Sequence, residues 1–128
     1  MLIVWAAGAT AQNGPPGIAF VQAPEQSSGM AMGATPQEAF AAATAQCIAG
    51  GALAEDCVPS AWCRPAGWSV DLFVQHREGP HWHEVVCGLP EEAVALSVAA
   101  ALCDLGDRPW IAVCDLVQIH DPTGTPQL

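Results

Sequence analysis

The sequence predicts an α+β protein made of two tandem ββαβ repeats, in which antiparallel strands and two alanine-rich helices are stapled by disulfides. Three observations support this prediction: an internal duplication, strands in which apolar and polar residues alternate, and six cysteines, four of which recur at matching places in the two copies. The first repeat is expected over residues 12–63 and the second over 64–120. An apolar segment, 1–11, precedes them, and a polar tail, 121–128, follows.

The duplication is visible in two sequence blocks that recur in the same order. Ala19–Gln22 returns as Leu72–Gln75, 53 positions later, and Pro36–Ala39 returns as Pro90–Ala93, 54 positions later. In each copy an alanine-rich stretch follows the second block and runs to a cysteine. Because the order and the spacing both repeat, we interpret the chain as two copies of one unit that share a sheet or a core.

Local signals place the helices and strands within each copy. Thr35 is suited to cap a helix, Pro36 suits its first position, and Glu38 completes a capping box. The second helix is expected to begin at Pro90 and to end by Gly106. Strands are predicted where apolar and polar residues alternate between turn signals. The expected order is strand 17–23, strand 28–33, helix 36–49 and strand 56–62, then strand 69–76, strand 82–87, helix 90–105 and strand 110–119.

The composition of the chain excludes several classes of partner. Its 128 residues include three arginines, no lysine and thirteen acidic residues, which gives a net charge of −10. Such a surface cannot release counterions from DNA or RNA, and it is repelled by anionic membranes. No run of residues is long and apolar enough to cross a bilayer. We therefore expect another protein as the partner, with no nucleic-acid binding and no integral membrane segment.

Residues 1–11 are similar to the end of a secretory signal peptide. They are apolar and finish in Ala9-Thr10-Ala11, an A-x-A pattern like that of a signal-peptidase site. The basic start of a signal peptide is missing, so the alternatives are a leader that lacks its front and an apolar N-terminal strand. The first alternative predicts a periplasmic or secreted protein. That prediction agrees with the cysteine content, which is typical of disulfide-bonded exported proteins.

Six cysteines allow fifteen pairings, and the duplication favours one of them. In each copy one cysteine lies near the end of the helix and the next lies ten or eleven residues later, near the following strand, which leaves a third pair to join the copies. The expected disulfides are Cys47–Cys57, Cys103–Cys114 and Cys63–Cys87. A structural zinc site and free thiols are the alternatives. The chain has no C-x-x-C pair, and spacings of ten and eleven residues do not suit a tetrahedral zinc site.

The two cysteine-bearing units resemble a known family. In each, a Glu-Ala pair opens a helix rich in small residues, which runs to a cysteine and is followed by a glycine-containing loop and a second cysteine. The matching positions are Glu38-Ala39 to Cys57, and again Glu92-Ala93 to Cys114. This pattern resembles the secreted bacterial family catalogued as domain of unknown function 4189, over most of residues 17–119. The resemblance implies a small exported domain with disulfides, and it implies no reaction.

Three histidines, His76, His81 and His83, lie near the tip of the second predicted hairpin. If its turn is centred on residues 78 and 79, position 76 faces position 81 and all three imidazoles share one face. Clustered neutral imidazoles bind Zn²⁺ or Cu²⁺, so the pattern predicts a metal site, with a polar loop tip as the alternative. A shift of one residue in the strand pairing would move His76 to the opposite face.

Two methionines on one predicted strand extend the metal hypothesis. Met30 and Met32 are two residues apart, so their thioethers lie on one face of the strand and could bind Cu(I). The alternative is that both side chains fill the core, where methionine is a common packing residue. The sequence leaves both alternatives open.

Signals for an enzyme are weak, so we expect a binding protein. Ser69 lacks the second glycine of a nucleophile elbow, and each cysteine has an expected disulfide partner. The first hypothesis is a protein-interaction module, such as an inhibitor, an immunity-type protein or an accessory subunit, with Trp82 and Trp68 as contact residues. The alternatives are a periplasmic metal-binding protein that uses the three histidines, and a hydrolase of unrecognised type.

Overall fold

Two ββαβ units follow one another along the chain, as the duplication predicts. A computed structural model describes residues 14–128, and the predicted leader lies outside the described residues. The elements are β1 (Gly17–Ala23), β2 (Ser27–Gly33), α1 (Pro36–Ala49), β3 (Val58–Cys63), β4 (Trp68–His76), β5 (His81–Leu89), α2 (Glu92–Leu102) and β6 (Ile111–His120). The predicted α+β class and the strand–strand–helix–strand order of both copies are confirmed.

Within residues 14–128, the strands form two antiparallel sheets of three strands, one from each unit. The strand orders are β2-β1-β3 and β5-β4-β6, so the first strand of each unit is central. The duplication allowed a shared sheet or a shared core, and the structure has the shared core. Because β1 and β4 pair on both sides and are covered by other layers, they are the most buried strands.

Alternation along the strands separates two kinds of core. In β1, Val21 and Ala23 pack beneath α1, whereas Ile18 and Phe20 belong to a cluster shared with β5 of the second unit. The buried apolar residues of β4, which are Val70, Leu72 and Val74, pack beneath α2 in the same way. The layers are therefore α1, first sheet, second sheet and α2. The face of each sheet that carries no helix is turned toward the other sheet.

Local sequence explains why α1 has its predicted bounds. The Thr35 hydroxyl accepts a hydrogen bond from the backbone N–H of Glu38 at 3.2 Å, as expected for an N-cap. The buried side of the helix carries only alanine and cysteine, so the helix lies very close to β2. A Cβ atom on Gly29 would lie 1.9 Å from the carbonyl oxygen of Ala43. Only glycine therefore fits at this contact.

The second helix begins two residues later and ends three residues earlier than predicted. β5 continues to Leu89, so residues 90–91 serve as the connection and Glu91 is extended (φ −147°, ψ 156°). At the other end the chain leaves the helix at Cys103, which is held to β6 by a disulfide. At both ends, residues that the local pattern assigned to the helix serve instead as its connections to the neighbouring strands.

Three disulfides join the expected pairs, and no cysteine within the described residues is free. The Cα–Cα distances are 6.2 Å for Cys47–Cys57, 5.9 Å for Cys63–Cys87 and 5.3 Å for Cys103–Cys114. The first and third tie the end of each helix to the chain at the following strand, and the second ties β3 to β5 across the two units. Disulfides at this density indicate an oxidising, extracytoplasmic environment. No helix within residues 14–128 is long and apolar enough to span a membrane.

Candidate functional site

A cavity of about 290 Å³ lies between the two sheets. Its apolar wall is formed by Phe20, Val21, Met30 and Val85, and its polar wall contains serine, glutamine, aspartate and histidine side chains. The lining draws on all six strands and on α1. The cavity therefore exists only when the two units are packed against each other.

The cavity wall contains a hydrogen-bonded acid–base pair. Asp71 on β4 and His83 on β5 lie on the same face of the second sheet, and Asp71 Oδ1 is 2.6 Å from His83 Nδ1. This hydrogen bond is the main cause that raises the pKa of His83 above its ordinary value of 6.5. Burial opposes the increase, and the charge of Asp71 adds to it. Because the carboxylate holds Nδ1, the ring nitrogen that remains to contact a ligand is Nε2.

Gln22 of the first unit fixes the backbone of His83. Its side-chain amide nitrogen donates to the His83 carbonyl at 2.7 Å, and its amide oxygen accepts from the His83 N–H at 3.0 Å. These bonds satisfy the backbone N–H and carbonyl of His83 on the outer edge of β5. No other strand of the described chain pairs with that edge. The same amide nitrogen also donates to the Ser60 hydroxyl at 3.2 Å. Gln22 thus couples the two units at the cavity.

A second histidine reaches the cavity from the end of β6. His120 is only 9% exposed, and its Nδ1 has no hydrogen-bond partner within the described residues. Its ring packs edge-on against Phe20, with ring centroids 6.0 Å apart. Burial lowers the pKa of His120 below 6.5, and the charges of Asp71 and Asp121 oppose this decrease. The His120 imidazole is therefore mainly neutral at pH 7.

The cavity thus contains one histidine with a raised pKa, His83, and one with a lowered pKa, His120. The His83 ring is protonated more readily than the His120 ring, so the two rings differ in the hydrogen bonds that they can donate and accept. Such a pair can orient a bound molecule, and it also occurs in acid–base catalysis. Hydrolysis requires a reacting group as well. The Ser60 hydroxyl lines the cavity but accepts a hydrogen bond from Gln22, and within the described residues no hydrogen bond joins it to His83. The hydrolase alternative therefore stays a prediction.

The three-histidine metal site is not formed, because the predicted register of the second hairpin is wrong. The hairpin closes with a three-residue loop in which Gly79 adopts a φ of 114°, a left-handed conformation that suits glycine. The turn is centred on residue 78 and not between residues 78 and 79, which shifts the pairing by one residue, so that His81 lies opposite Gln75. His76 therefore lies on the face that carries α2, while His81 and His83 lie on the face turned toward the first unit.

His81 and His83 share a face, but each contacts the first unit separately. The Phe73 ring lies near both imidazoles, with centroid distances of 5.2 Å to His81 and 6.1 Å to His83. His81 Nε2 is 3.5 Å from the Glu25 carboxylate. In the part of the chain that the structure describes, no group of three or more histidine, cysteine, aspartate or glutamate side chains is arranged to hold a metal ion.

The tryptophans and methionines that the sequence singled out lie largely within the packed layers. Trp82 and Trp68 are half-buried and pack against the cluster beneath α2. The Trp82 indole N–H also donates to the Glu84 carboxylate at 3.2 Å. Met30 and Met32 pack in the core between the sheets. Trp82 therefore does not project from the hairpin as a loop-tip contact residue would.

Sequence reasoning missed Asp71, Gln22 and His120, which complete the polar part of the site. A signal for Asp71 was present, because it shares a strand face with Phe73, and an aromatic residue on that face indicates that the face is covered. The partner of Asp71 depends on the hairpin register, however, and local sequence indicated the wrong one. Gln22 and His120 are brought to the cavity only by the packing of the two sheets.

The exposed side of α2 is a second feature of functional interest. No charged residue occurs from Ala93 to Cys103, and Leu96 is 46% exposed. We define the α2 outer face by the exposed residues of this helix after its first position, which are Ala93, Leu96, Ser97, Ala100 and Ala101. An apolar helix side that no other element of the described chain covers is a candidate contact surface.

Comparison with known proteins finds no matching family, no matching curated protein and no matching solved structure. The resemblance of the two cysteine-bearing units to domain of unknown function 4189 therefore stays a prediction. Function is argued below from the geometry of the chain itself.

The Asp71–His83 pair is expected to control the titration of the cavity. In Asp71→Asn, the pKa of His83 should fall from above 6.5 to below it, because the hydrogen-bonded carboxylate charge that favours the protonated ring is lost while burial still lowers the pKa. The pKa of His120 should fall further, since the Asp71 charge opposes its decrease. NMR titration of the imidazole protons measures both values.

The sign of the effect on stability follows from the same shift. A raised pKa stabilises the folded protein below the ordinary value of 6.5, and this stabilisation is lost as the pH rises through the folded-state pKa. Asp104→Asn, which removes an exposed charge beyond α2, is the control and should leave both histidines unchanged. A His83 pKa that stays above 6.5 in Asp71→Asn would show that the carboxylate is not its cause.

Proposed function

We propose that this protein is a periplasmic or secreted, disulfide-stabilised interaction module that binds another protein through the α2 outer face. The observation that carries the proposal is an exposed, uncharged helix surface on a chain whose net charge is −10. Exposed apolar surface that is rimmed by polar residues is typical of sites that a partner covers. Three disulfides support a location outside the cytoplasm. An inhibitor, an immunity-type protein and an accessory subunit are all modules of this kind.

The duplication supplies an internal comparison for α2. Within the helices the offset between the copies is 56 residues, two more than in the preceding sequence block, because α2 begins two residues later than predicted. This offset aligns the buried residues Ala39, Ala43 and Cys47 of α1 with Ala95, Ala99 and Cys103 of the second unit. With the same offset, Gln37, Glu38 and Thr44 of α1 correspond to Ala93, Val94 and Ala100. A helix in the same position of the same unit thus accepts polar residues at these places. Folding of this helix therefore does not require alanine at positions 93 and 100, which supports a role of these positions in binding. Position 96 differs, because its counterpart Phe40 is also apolar and packs against the core of the first unit.

Acidic residues at both ends of the α2 outer face indicate the charge of the partner. Glu91 and Glu92 lie at the start of the helix, Asp104 and Asp107 follow its end, and all four are exposed. The helix has 11 residues and is therefore about 16 Å long. A partner segment with an apolar ridge and lysine or arginine at its ends matches this surface. The net charge of −10 would also accelerate encounter with a basic partner.

A basic amphipathic peptide tests the proposal. We expect a helical peptide of leucine and lysine to bind the wild-type protein in a fluorescence anisotropy titration, and a leucine–glutamate peptide of the same pattern not to bind. The variant with Leu96→Gln and Ala100→Gln should bind the leucine–lysine peptide about tenfold more weakly, because apolar contact area is lost at the centre of the surface.

Ile48→Gln on α1 is the matched control, since Ile48 is 42% exposed and Leu96 is 46% exposed. It should leave the affinity for the leucine–lysine peptide unchanged. Equal binding by wild type and the α2 variant would contradict the proposal, as would equal loss in Ile48→Gln. Binding of a lysine–serine peptide with the same affinity would also contradict it, because charge alone would then account for the complex.

A further inference from the structure

The disulfide between Cys63 and Cys87 differs from that of the first unit in its access to solvent. Both cysteines are half-buried against the core between the sheets, and both line an open groove of about 810 Å³. In the first unit, Cys47 is fully buried and Cys57 is 9% exposed, so their disulfide lies in the core beneath α1. A thiolate must contact a sulfur atom to react with it, so access favours the disulfide in the groove.

The remaining disulfide, Cys103–Cys114, is half-buried as well, but one of its sulfur atoms contacts the end of α2. Both cysteines pack against the cluster beneath this helix, and Cys114 Sγ lies 3.8 Å from the Leu102 carbonyl oxygen. The guanidinium of Arg108 donates to the same carbonyl, but the Glu84 carboxylate offsets its charge. The helix end therefore restricts the approach of a thiolate to this pair.

The charges beside the cysteines favour the same disulfide. Acidic residues directly adjoin a cysteine of each disulfide within a unit, namely Asp56 before Cys57, Asp104 after Cys103 and Asp115 after Cys114. Cys63 is instead followed by Arg64, which is exposed and is the one charged residue in the lining of the groove among the described residues. Disulfides are broken by thiolate anions, which a nearby carboxylate repels and a nearby guanidinium attracts. Charge and access therefore distinguish Cys63–Cys87 from the other two pairs.

We propose that Cys63–Cys87 is a redox-sensitive link between the two units, which a dithiol reduces while the disulfide within each unit stays intact. One thiolate of the dithiol attacks a sulfur atom of the link, and the other cysteine leaves as a thiolate and takes up a proton. The second thiol of the reagent then displaces the first cysteine from the mixed disulfide. The link gains two electrons and two protons and becomes two thiols, and the dithiol is oxidised to a cyclic disulfide.

Reduction of this link loosens the packing of the two units without unfolding either of them. Each unit retains its own sheet, its own helix and its own disulfide. The units are then joined by the main chain at residues 64–67 and by noncovalent contacts, which include the shared core and the hydrogen bonds between Gln22 and His83. The cavity between the sheets depends on these contacts, so its opening is coupled to the redox state of the link.

Timed reduction of the full, native chain with dithiothreitol tests the proposal. Free thiols are trapped by alkylation at each time and assigned by mass mapping of the peptides. We expect Cys63 and Cys87 to be alkylated about tenfold faster than the other four cysteines. Once this pair alone is reduced, the backbone N–H of His83 should exchange faster, and the helical circular dichroism signal should stay unchanged. These measurements use the wild-type protein, so they do not depend on the folding of any variant.

Arg64→Gln should slow reduction of the link about threefold, because the charge that attracts the thiolate is lost. Arg64→Lys keeps the charge and should react as the wild type does. Arg77→Gln is the matched control, since Arg77 is exposed and does not line the groove, and it should leave the rate unchanged. The proposal is overturned if another disulfide is reduced as fast as the link, if the helical signal is lost with the link, or if Arg64→Gln reacts at the wild-type rate. No peptide is present in these experiments, so their results are independent of binding at the α2 outer face.

Discussion

Replacing both Cys63 and Cys87 with alanine is expected to lower the free energy of unfolding by about 3 kcal/mol. This disulfide spans 24 positions, the longest separation of the three, so its removal returns the most freedom to the unfolded chain. It is also a covalent tie between the two units, joining β3 to β5 beside the inter-sheet core. Urea unfolding followed by tryptophan fluorescence measures the change. A loss of this size is a large part of the stability of a small domain.

The variant with Cys47→Ala and Cys57→Ala is the matched control, because that pair spans 10 positions within the first unit. It should lose about 2.5 kcal/mol while the packing of the two sheets is retained. Hydrogen exchange separates the two variants. The backbone N–H of His83, which donates to Gln22 across the units, should exchange faster when the inter-unit disulfide is absent. A stability loss below about 1 kcal/mol, or equal exchange at His83 in both variants, would contradict this account.

Arg108→Met is expected to lower the free energy of unfolding by about 2 kcal/mol at neutral pH. The guanidinium donates to both carboxylate oxygens of Glu84, at 2.9 Å and 2.7 Å, and to the Leu102 carbonyl at 2.9 Å. The side chains of Arg108 and Glu84 are 16% and 24% exposed, so loss of the arginine leaves a half-buried carboxylate without its cation. The residual contact with water keeps the expected loss below that of a fully buried pair.

The pH dependence of this ion pair has a definite sign. The hydrogen bonds from Arg108 are the main cause that lowers the pKa of Glu84 below its ordinary value of 4.5, and burial opposes them. The ion pair therefore stabilises the folded protein fully above pH 4.5, and its contribution is lost as the pH falls through the lower folded-state pKa. The stability difference between wild type and Arg108→Met, measured by urea unfolding from about pH 7 to about pH 3, should shrink across that range.

Arg77→Met is the control for this measurement. The Arg77 guanidinium donates to the Pro109 carbonyl and is exposed, so its loss should change stability by less than about 0.5 kcal/mol at any pH in the range. A stability difference that stays constant with pH would show that Arg108 acts through packing and not through its charge.

Features that depend on neighbours along the chain were predictable from sequence. The bounds of α1 follow from Thr35, Pro36 and Glu38, which cap the helix within one turn, and the structure begins it at the predicted residue. The disulfide pairs follow from the duplication, because a repeated unit must repeat its cross-link. The alternation in β4 likewise predicted a strand with one apolar face, and cover over its second face comes from the packing of the two sheets. Such signals need only the periods of the helix and the strand, and these are local properties of the backbone.

The candidate sites required contacts between distant parts of the chain. A shift of one residue in the pairing of β4 with β5 moves His76 to the face opposite His81 and His83, and a sequence pattern that fits either register cannot decide between them. The apolar pattern of α2 likewise does not show whether its outer side is covered, since a helix that is apolar all round is ordinarily buried.

The sequence by itself determined the α+β class, the order of the elements, the disulfide pairs and the acidic character of the chain. Only the tertiary structure decided that the two units form separate sheets packed face to face, with a cavity between them and α2 uncovered. The physical reason is that Gln22, Asp71, His83 and His120 lie on four different strands. Local propensity fixes the strands themselves, whereas packing of the two sheets brings these side chains to one cavity.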